Sequence, residues 1–243
     1  MKTDRSQETS ETQISFSNDW IDGSVFTNYH DLSFKSECVA VNLSPSSIPL
    51  SEPFVGSIRP WRSGRFIRFN AKKVELLARF AICKERNIGD LSRVWEWYGD
   101  LDLEFPRNTP LFVSPPHEVG EIYISVHEFT GSRATSSPPQ LFRMVIRAWF
   151  APGHTDCVIH TGHNFLETHT QLYGEGSMQK FETQEECTLY EDVAMKPGFT
   201  HEAFAVATPK GRWKYPWHRY LSITDCVWVA LELHPASTKT SSR

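Results

Sequence analysis

The sequence predicts a mainly β chain folded as a jelly-roll barrel, and three observations predict it. Runs rich in β-branched and aromatic residues recur at short spacing, among them Glu121 to Phe129, Leu141 to Phe150, Cys157 to Tyr173 and Tyr220 to Leu233. Gly, Pro and Ser punctuate them, as in GSRATSSPPQ after Thr130 and in the Gly174-Glu-Gly176 hairpin signal. Convincing helical periodicity occurs only once: Val74, Leu77, Ala78 and Ala81 fall at i, i+3, i+4 and i+7. Many strands and one helix suit a closed or two-sheet β architecture.

Taken in chain order, residues 1–17 are rich in Ser, Thr, Glu and Gln and read as a disordered tail. Residues 18–139 form an N-terminal extension. It opens with loops and edge strands to Pro60, then carries the expected helix over 70–88, with Asn70 as its cap and Gly89 as its stop. Alternation over Asp100 to Glu104 and a Pro-rich loop from Phe105 to Pro116 follow. This extension is either a degenerate second barrel or an elaboration of one barrel, and the single elaborated barrel, with the helix packed outside it, is preferred. Residues 140–235 carry the barrel proper, with further strands over Ser177 to Phe181, Thr188 to Met195 and His201 to Val206. The last segment, 236–243, reads as a second disordered tail.

Composition excludes several classes. At 243 residues with 40% hydrophobic content the chain can bury a full core. A net charge of -4 argues against nucleic acid or an anionic membrane as partner. No stretch approaches the ~20 apolar residues of a membrane span, and MKTDRSQETSETQ lacks the apolar segment of a secretory signal, so a cytoplasmic protein is expected. Five widely spaced cysteines without a C-x-x-C pair suit reduced thiols. Serine-hydrolase elbows, P-loops and G-x-G-x-x-G fingerprints are missing.

The chemistry concentrates in His163-Asn-Phe-Leu-Glu167-Thr-His169-Thr-Gln171 and in Pro197-Gly198-Phe-Thr-His201. If the first stretch is extended, His163, Glu167, His169 and Gln171 project from one face, because a strand repeats every ~2 residues. His160 lies on the opposite face unless a bulge at Gly162 shifts it. Imidazole and carboxylate in phase on a rigid strand form a metal-ligand set, which a histidine from the next strands would complete. His201 is placed for that role. The ligand pool is therefore His163, Glu167, His169 and His201, with His169 and His201 first and either His163 or Glu167 as the third.

The order of a His-bearing strand, a Gly-x-Gly turn, two more strands, a Pro-Gly turn and a His resembles the cupin superfamily over about residues 140–235. That family's motifs read G-x5-H-x-H-x3or4-E-x6-G and G-x5-P-x-G-x2-H-x3-N. In one register His163 takes the first His slot and His169 the Glu slot, with Phe165 between them; in another, Glu167-Thr-His169 lies on the His-x-His pair. Gly198-Phe-Thr-His201 fits the G-x2-H core of the second motif. The resemblance implies a double-stranded β-helix holding one divalent metal ion, with Fe(II) favoured. It implies an iron-dependent oxygenase acting on a small anionic or aromatic metabolite, and it admits a homodimer. A noncatalytic small-molecule-binding cupin, or a metal-dependent isomerase or lyase, is the alternative.

Around that centre, Gln171 is expected to point into the cavity and bind substrate or metal-bound water. His218 and Tyr173 are the candidate proton-transfer residues. The segment from Gly211 to Tyr220 interleaves cations with aromatics and reads as a loop over the barrel mouth, where Trp217 packs a substrate and Arg219 holds its carboxylate.

Overall fold

The computed structural model describes residues 8–132 and 137–236. The expected disorder at residues 1–7 and 237–243 lies outside the described residues, as does 133–136 of the expected turn.

The extension folds as a five-stranded antiparallel sheet. Its strands are β1 (Ser10–Gln13), β2 (Ile21–Phe34), β3 (Cys38–Asn42), β4 (Ser63–Phe66) and β5 (Phe69–Ile82), in the order β1-β2-β5-β3-β4. Two expectations are corrected here. The tail expected over 1–17 contains an edge strand, since β1 pairs with β2 from Ser10 opposite Thr27 to Gln13 opposite Ser24. The helix expected over 70–88 is β5, the central strand, paired with β2 along one side and β3 along the other. Its residues are buried on both faces: Leu77 joins one apolar cluster, while Ala78 and Phe80 join another. A strand covered on both sides loses its alternation, and the resulting apolar spacing imitates a helix.

The second part of the chain closes into two facing sheets. Its strands are β6 (His117–Ile124), β7 (Gln140–Ala151), β8 (Leu166–Tyr173), β9 (Gly176–Phe181), β10 (Leu189–Met195), β11 (Trp217–Ser222) and β12 (Cys226–Pro235). In one sheet β12 lies between β8 and β7, and β6 pairs with the far side of β7. The segment 198–201 extends this sheet beyond β8: Gln171 N–H donates to the Phe199 carbonyl at 2.9 Å and Gly198 N–H to the Gln171 carbonyl at 2.9 Å. The other sheet runs β10-β9-β11, and the segment 155–160 joins its edge through bridges Asp156 to Leu221 and His160 to His218. A five-membered sheet facing a four-membered one in this order makes a jelly roll. The fold is mainly β, as expected.

Strand alternation sorts the side chains. On β8 and β12, Leu166, Leu172, Val229 and Leu231 point outward and share one core with Ile14, Val41 and Phe80 of the five-stranded sheet. The opposite parity, with Met178, Tyr220 and Trp228, fills the barrel interior. Residues 91–113, which carry the short helices Leu91–Val94 and Tyr98–Leu101, pass over the barrel mouth. No helix among the described residues is long and apolar enough to cross a membrane.

Candidate metal centre

Three histidines meet at one end of the barrel interior. His160 and His218 face each other across two backbone hydrogen bonds, each N–H donating to the other's carbonyl at 2.9 Å. His160 Nδ1 donates to the Val158 carbonyl at 2.9 Å, and His218 Nδ1 to the Pro216 carbonyl at 2.9 Å. A carbonyl only accepts, so both protons sit on Nδ1 and both Nε2 lone pairs face inward. That second-sphere arrangement fixes the tautomer of a metal-ligating histidine.

His163 is the hub between them. Its Nε2 lies 3.0 Å from His160 Nε2, 3.0 Å from His218 Nε2 and 3.3 Å from Glu167 Oε1. The three imidazole nitrogens all lie within 4.8 Å of one another. Three nitrogens and a carboxylate oxygen converge where at most one imidazole proton is available to share among them, whereas one divalent cation would satisfy all four donors. The donor set therefore fits a metal ion.

Charge supports the same assignment. Burial, reinforced by the neighbouring His160, pushes the His218 imidazole down to about 3, and burial and His163 lower His160 as well. Both rings thus keep their lone pairs at neutral pH. Burial alone would raise the Glu167 carboxyl, but His163 and His169 outweigh it and hold the group well below the usual carboxylate range. His160 and His218 stay neutral in the fold but take a proton in the unfolded chain below about 6.5, so stability falls as pH drops from 6.5 toward 3. Glu167 acts in the same direction, because its contribution is present above 4.5 and is lost as pH falls through its folded value. With chelator present, the urea midpoint is expected to be lower at pH 5 than at pH 7; equal midpoints would contradict the neutral, buried imidazoles.

His169 stands behind the cluster. Its Nε2–H donates to Glu167 Oε2 at 3.1 Å, which aims the other carboxylate oxygen at His163. Its Nδ1 is buried without a hydrogen-bond partner among the described residues. His201, expected as a ligand, is corrected to a structural role. Its Nδ1 donates to the Glu202 carbonyl at 2.6 Å and its Nε2 accepts the His169 backbone N–H at 3.0 Å, so neither nitrogen is free. The imidazole instead ties the segment 198–201 to β8.

The other expected site residues separate into different surroundings. Trp217 lines the cleft that leads to the histidines. Arg219 is on the outer face of its sheet, where it bonds Gln179 at 2.8 Å, Asp156 at 2.5 Å and Glu186 at 2.7 Å, so it cannot hold a substrate. Gln171 is fully buried but away from the cleft: its amide donates to the Tyr173 carbonyl at 2.7 Å and accepts from the Tyr220 hydroxyl at 2.7 Å. It braces the bulge where the pairing of β8 with β12 shifts register between Gln171 and Tyr173. Tyr173 consequently turns toward the crevice between barrel and extension, beside Val39 and Arg65. His218 joins the cluster as a donor, and an imidazole so far depressed is a poor proton shuttle near neutrality.

Sequence reasoning missed His160 because it treated residues before Leu166 as strand; they are an irregular segment with Gly162 at φ 89°. The signal was present. His160-x2-His163-x3-Glu167-x6-Gly174 resembles the H-x-H-x3-E-x6-G part of the first cupin motif with one extra residue between the histidines. The cleft wall was missed too, because Tyr98 and Phe105 arrive from the extension while Trp149 and Trp228 come from β7 and β12. The cleft encloses about 510 Å³.

No family model and no curated protein matches this sequence. Among solved structures it is similar to an RmlC-like cupin from Desulfovibrio desulfuricans, at 12% identity and TM-score 0.28, covering 48% of this chain and 85% of that one. A cupin domain from Bordetella pertussis Tohama I matches at 15% identity and TM-score 0.26, over 47% of this chain and 93% of that one. Ectoine synthase from P. lautus matches at 13% identity and TM-score 0.28, over 58% of this chain and 77% of that one. Likenesses this distant carry no argument about activity, which rests on the side chains.

Proposed function

We propose that the chain is a mononuclear metalloenzyme in which His160, His163, His218 and Glu167 hold one divalent ion, with Fe(II) favoured, and that it oxygenates a small molecule bound in the aromatic cleft. The convergence of three Nε2 atoms and one carboxylate at the inner end of that cleft supports this reading. When bound, the ion supplies a Lewis-acidic, redox-capable centre with positions left for exogenous ligands. The chain's own part is positional. Backbone carbonyls of Val158 and Pro216 lock two of the rings, and His169 aims Glu167. The Tyr215 hydroxyl accepts the Glu167 backbone N–H at 2.9 Å, and its ring lies 4.8 Å from that of His163, closing the cluster on one side. The rings of Tyr98, Trp149 and Trp228 give an apolar wall to the space a substrate would occupy.

Substrate-dependent oxygen uptake by the iron-loaded protein tests the reaction class. Uptake abolished by His163→Ala is expected. Turnover without oxygen consumption would reassign the site to a lyase or isomerase.

A further inference from the structure

The cleft described above has a charge pattern that suits one substrate class better than the anionic one expected from sequence. Among its described lining residues are Asp102 and Glu104, and there is no Lys or Arg. The two residues belong to one turn beside the cleft: Asp102 N–H donates to the Tyr98 carbonyl at 3.1 Å, and Asp102 Oδ1 accepts the Glu104 backbone N–H at 3.0 Å. Neither has an ion-pair partner among the described residues. The nearby cations are engaged elsewhere, since Arg107 lies over the Trp97 ring at 5.3 Å and 4.0 Å from Asp100, while Arg147 pairs with Glu232 at 3.8 Å.

Beside the carboxylates the wall is aromatic. Tyr98 meets Phe105 at a centroid distance of 4.9 Å and Trp149 at 5.1 Å, both edge to face, so ring surfaces stand at steep angles around the opening. Such rings present negative quadrupole faces, and together with carboxylates they attract soft cations. Tyr98 registers the same field: burial raises its phenol, and Asp102, Glu167 and Glu232 raise it further against the opposing Arg147.

We propose that the cleft selects a small substrate bearing an alkylammonium or similar onium group, held at the mouth by Asp102, Glu104 and the rings of Tyr98 and Phe105, with its oxygen-bearing end toward the histidine cluster. This rests on the reading of the cleft as the substrate site. It goes beyond that reading by requiring a positive charge at one end of the ligand. An onium group loses little hydration on entering an aromatic wall, and the two unpaired carboxylates supply its countercharge.

The test compares choline with 3,3-dimethylbutan-1-ol, its carbon isostere, by calorimetric titration of the full-length protein as purified, with metal content measured on the same sample. Choline is expected to bind at least about tenfold tighter than the alcohol. In Asp102→Asn/Glu104→Gln that preference should fall several-fold while the alcohol's affinity stays unchanged, and a Tyr98→Leu variant should weaken choline selectively. Equal affinities, tighter binding of the alcohol, or no binding of either probe overturns the proposal. Metal present without a choline preference defeats this inference alone. A choline preference without metal, even after reconstitution, leaves it standing and defeats the metalloenzyme reading.

Discussion

The full chain purified without chelators is expected to carry about one transition-metal ion, and His160→Ala, His163→Ala and His218→Ala are each expected to lose it while remaining folded. The expectation follows from geometry: His163 Nε2 sits 3.0 Å from both other Nε2 atoms, and each variant removes one of the three nitrogens that converge among the described residues. Metal analysis by mass spectrometry, with circular dichroism to confirm folding, checks it. His169→Ala is the graded case. It removes the hydrogen bond that aims Glu167, so affinity should drop about 10–100-fold rather than vanish. His201→Ala separates two assignments. Both its ring nitrogens bond to backbone, so it should keep the metal and lose stability. A His201→Ala protein that folds normally but binds no metal, beside a His160→Ala protein that binds it fully, would overturn the cluster.

Phe80→Ala is expected to lower the stability of the whole chain by about 3–5 kcal/mol, in a single unfolding transition that includes the barrel. Phe80 is 1% exposed on the central strand of the five-stranded sheet and lies 6.4 Å from Phe16 in a stacked pair. It belongs to the same apolar cluster as Phe142, Leu166 and Leu231 of the barrel. Removing the ring opens a cavity at the seam between the two parts, and the close-packed neighbours can fill it only partly. For a chain of this size the thermal midpoint should fall by about 6–20 °C. Scanning calorimetry decides the matter. Two separate transitions, with only the earlier one shifted, would show that extension and barrel unfold independently despite the shared core.

Several features were legible in the sequence because short-range chemistry determines them. The β character of Leu141 to Phe150 and Tyr220 to Leu233 was readable from β-branched and aromatic runs; the first lies within β7, while the second spans the end of β11, a bend at 223–225 and most of β12. Metal-type residues around His163 and Glu167 were readable from their identity and close spacing. Parity placed Glu167 and His169 on one face of β8, and the structure has them 3.1 Å apart. The helix expected over 70–88 failed for the opposite reason. The apolar spacing of Val74, Leu77 and Ala78 records burial on two faces, and only the pairing of β5 with β2 and β3 reveals why.

The site divides the same way. By itself the sequence determined which kinds of side chain are available for the chemistry, because imidazole and carboxylate donors are the same wherever they stand. It could not determine which of ten histidines meet, since that depends on contacts between distant segments. His218 reaches His163 across 55 residues of chain, and His201 is consumed by the backbone of His169 across 32. Period-two counting held within β8 but not through Gly162, where a positive φ turned His160 inward. Arg219 and His218 are adjacent in sequence and opposite in fate, one bonded to acids outside the barrel and one facing the cluster within. Only the closed barrel decided that, because a strand's two faces acquire different surroundings when a second sheet covers one of them.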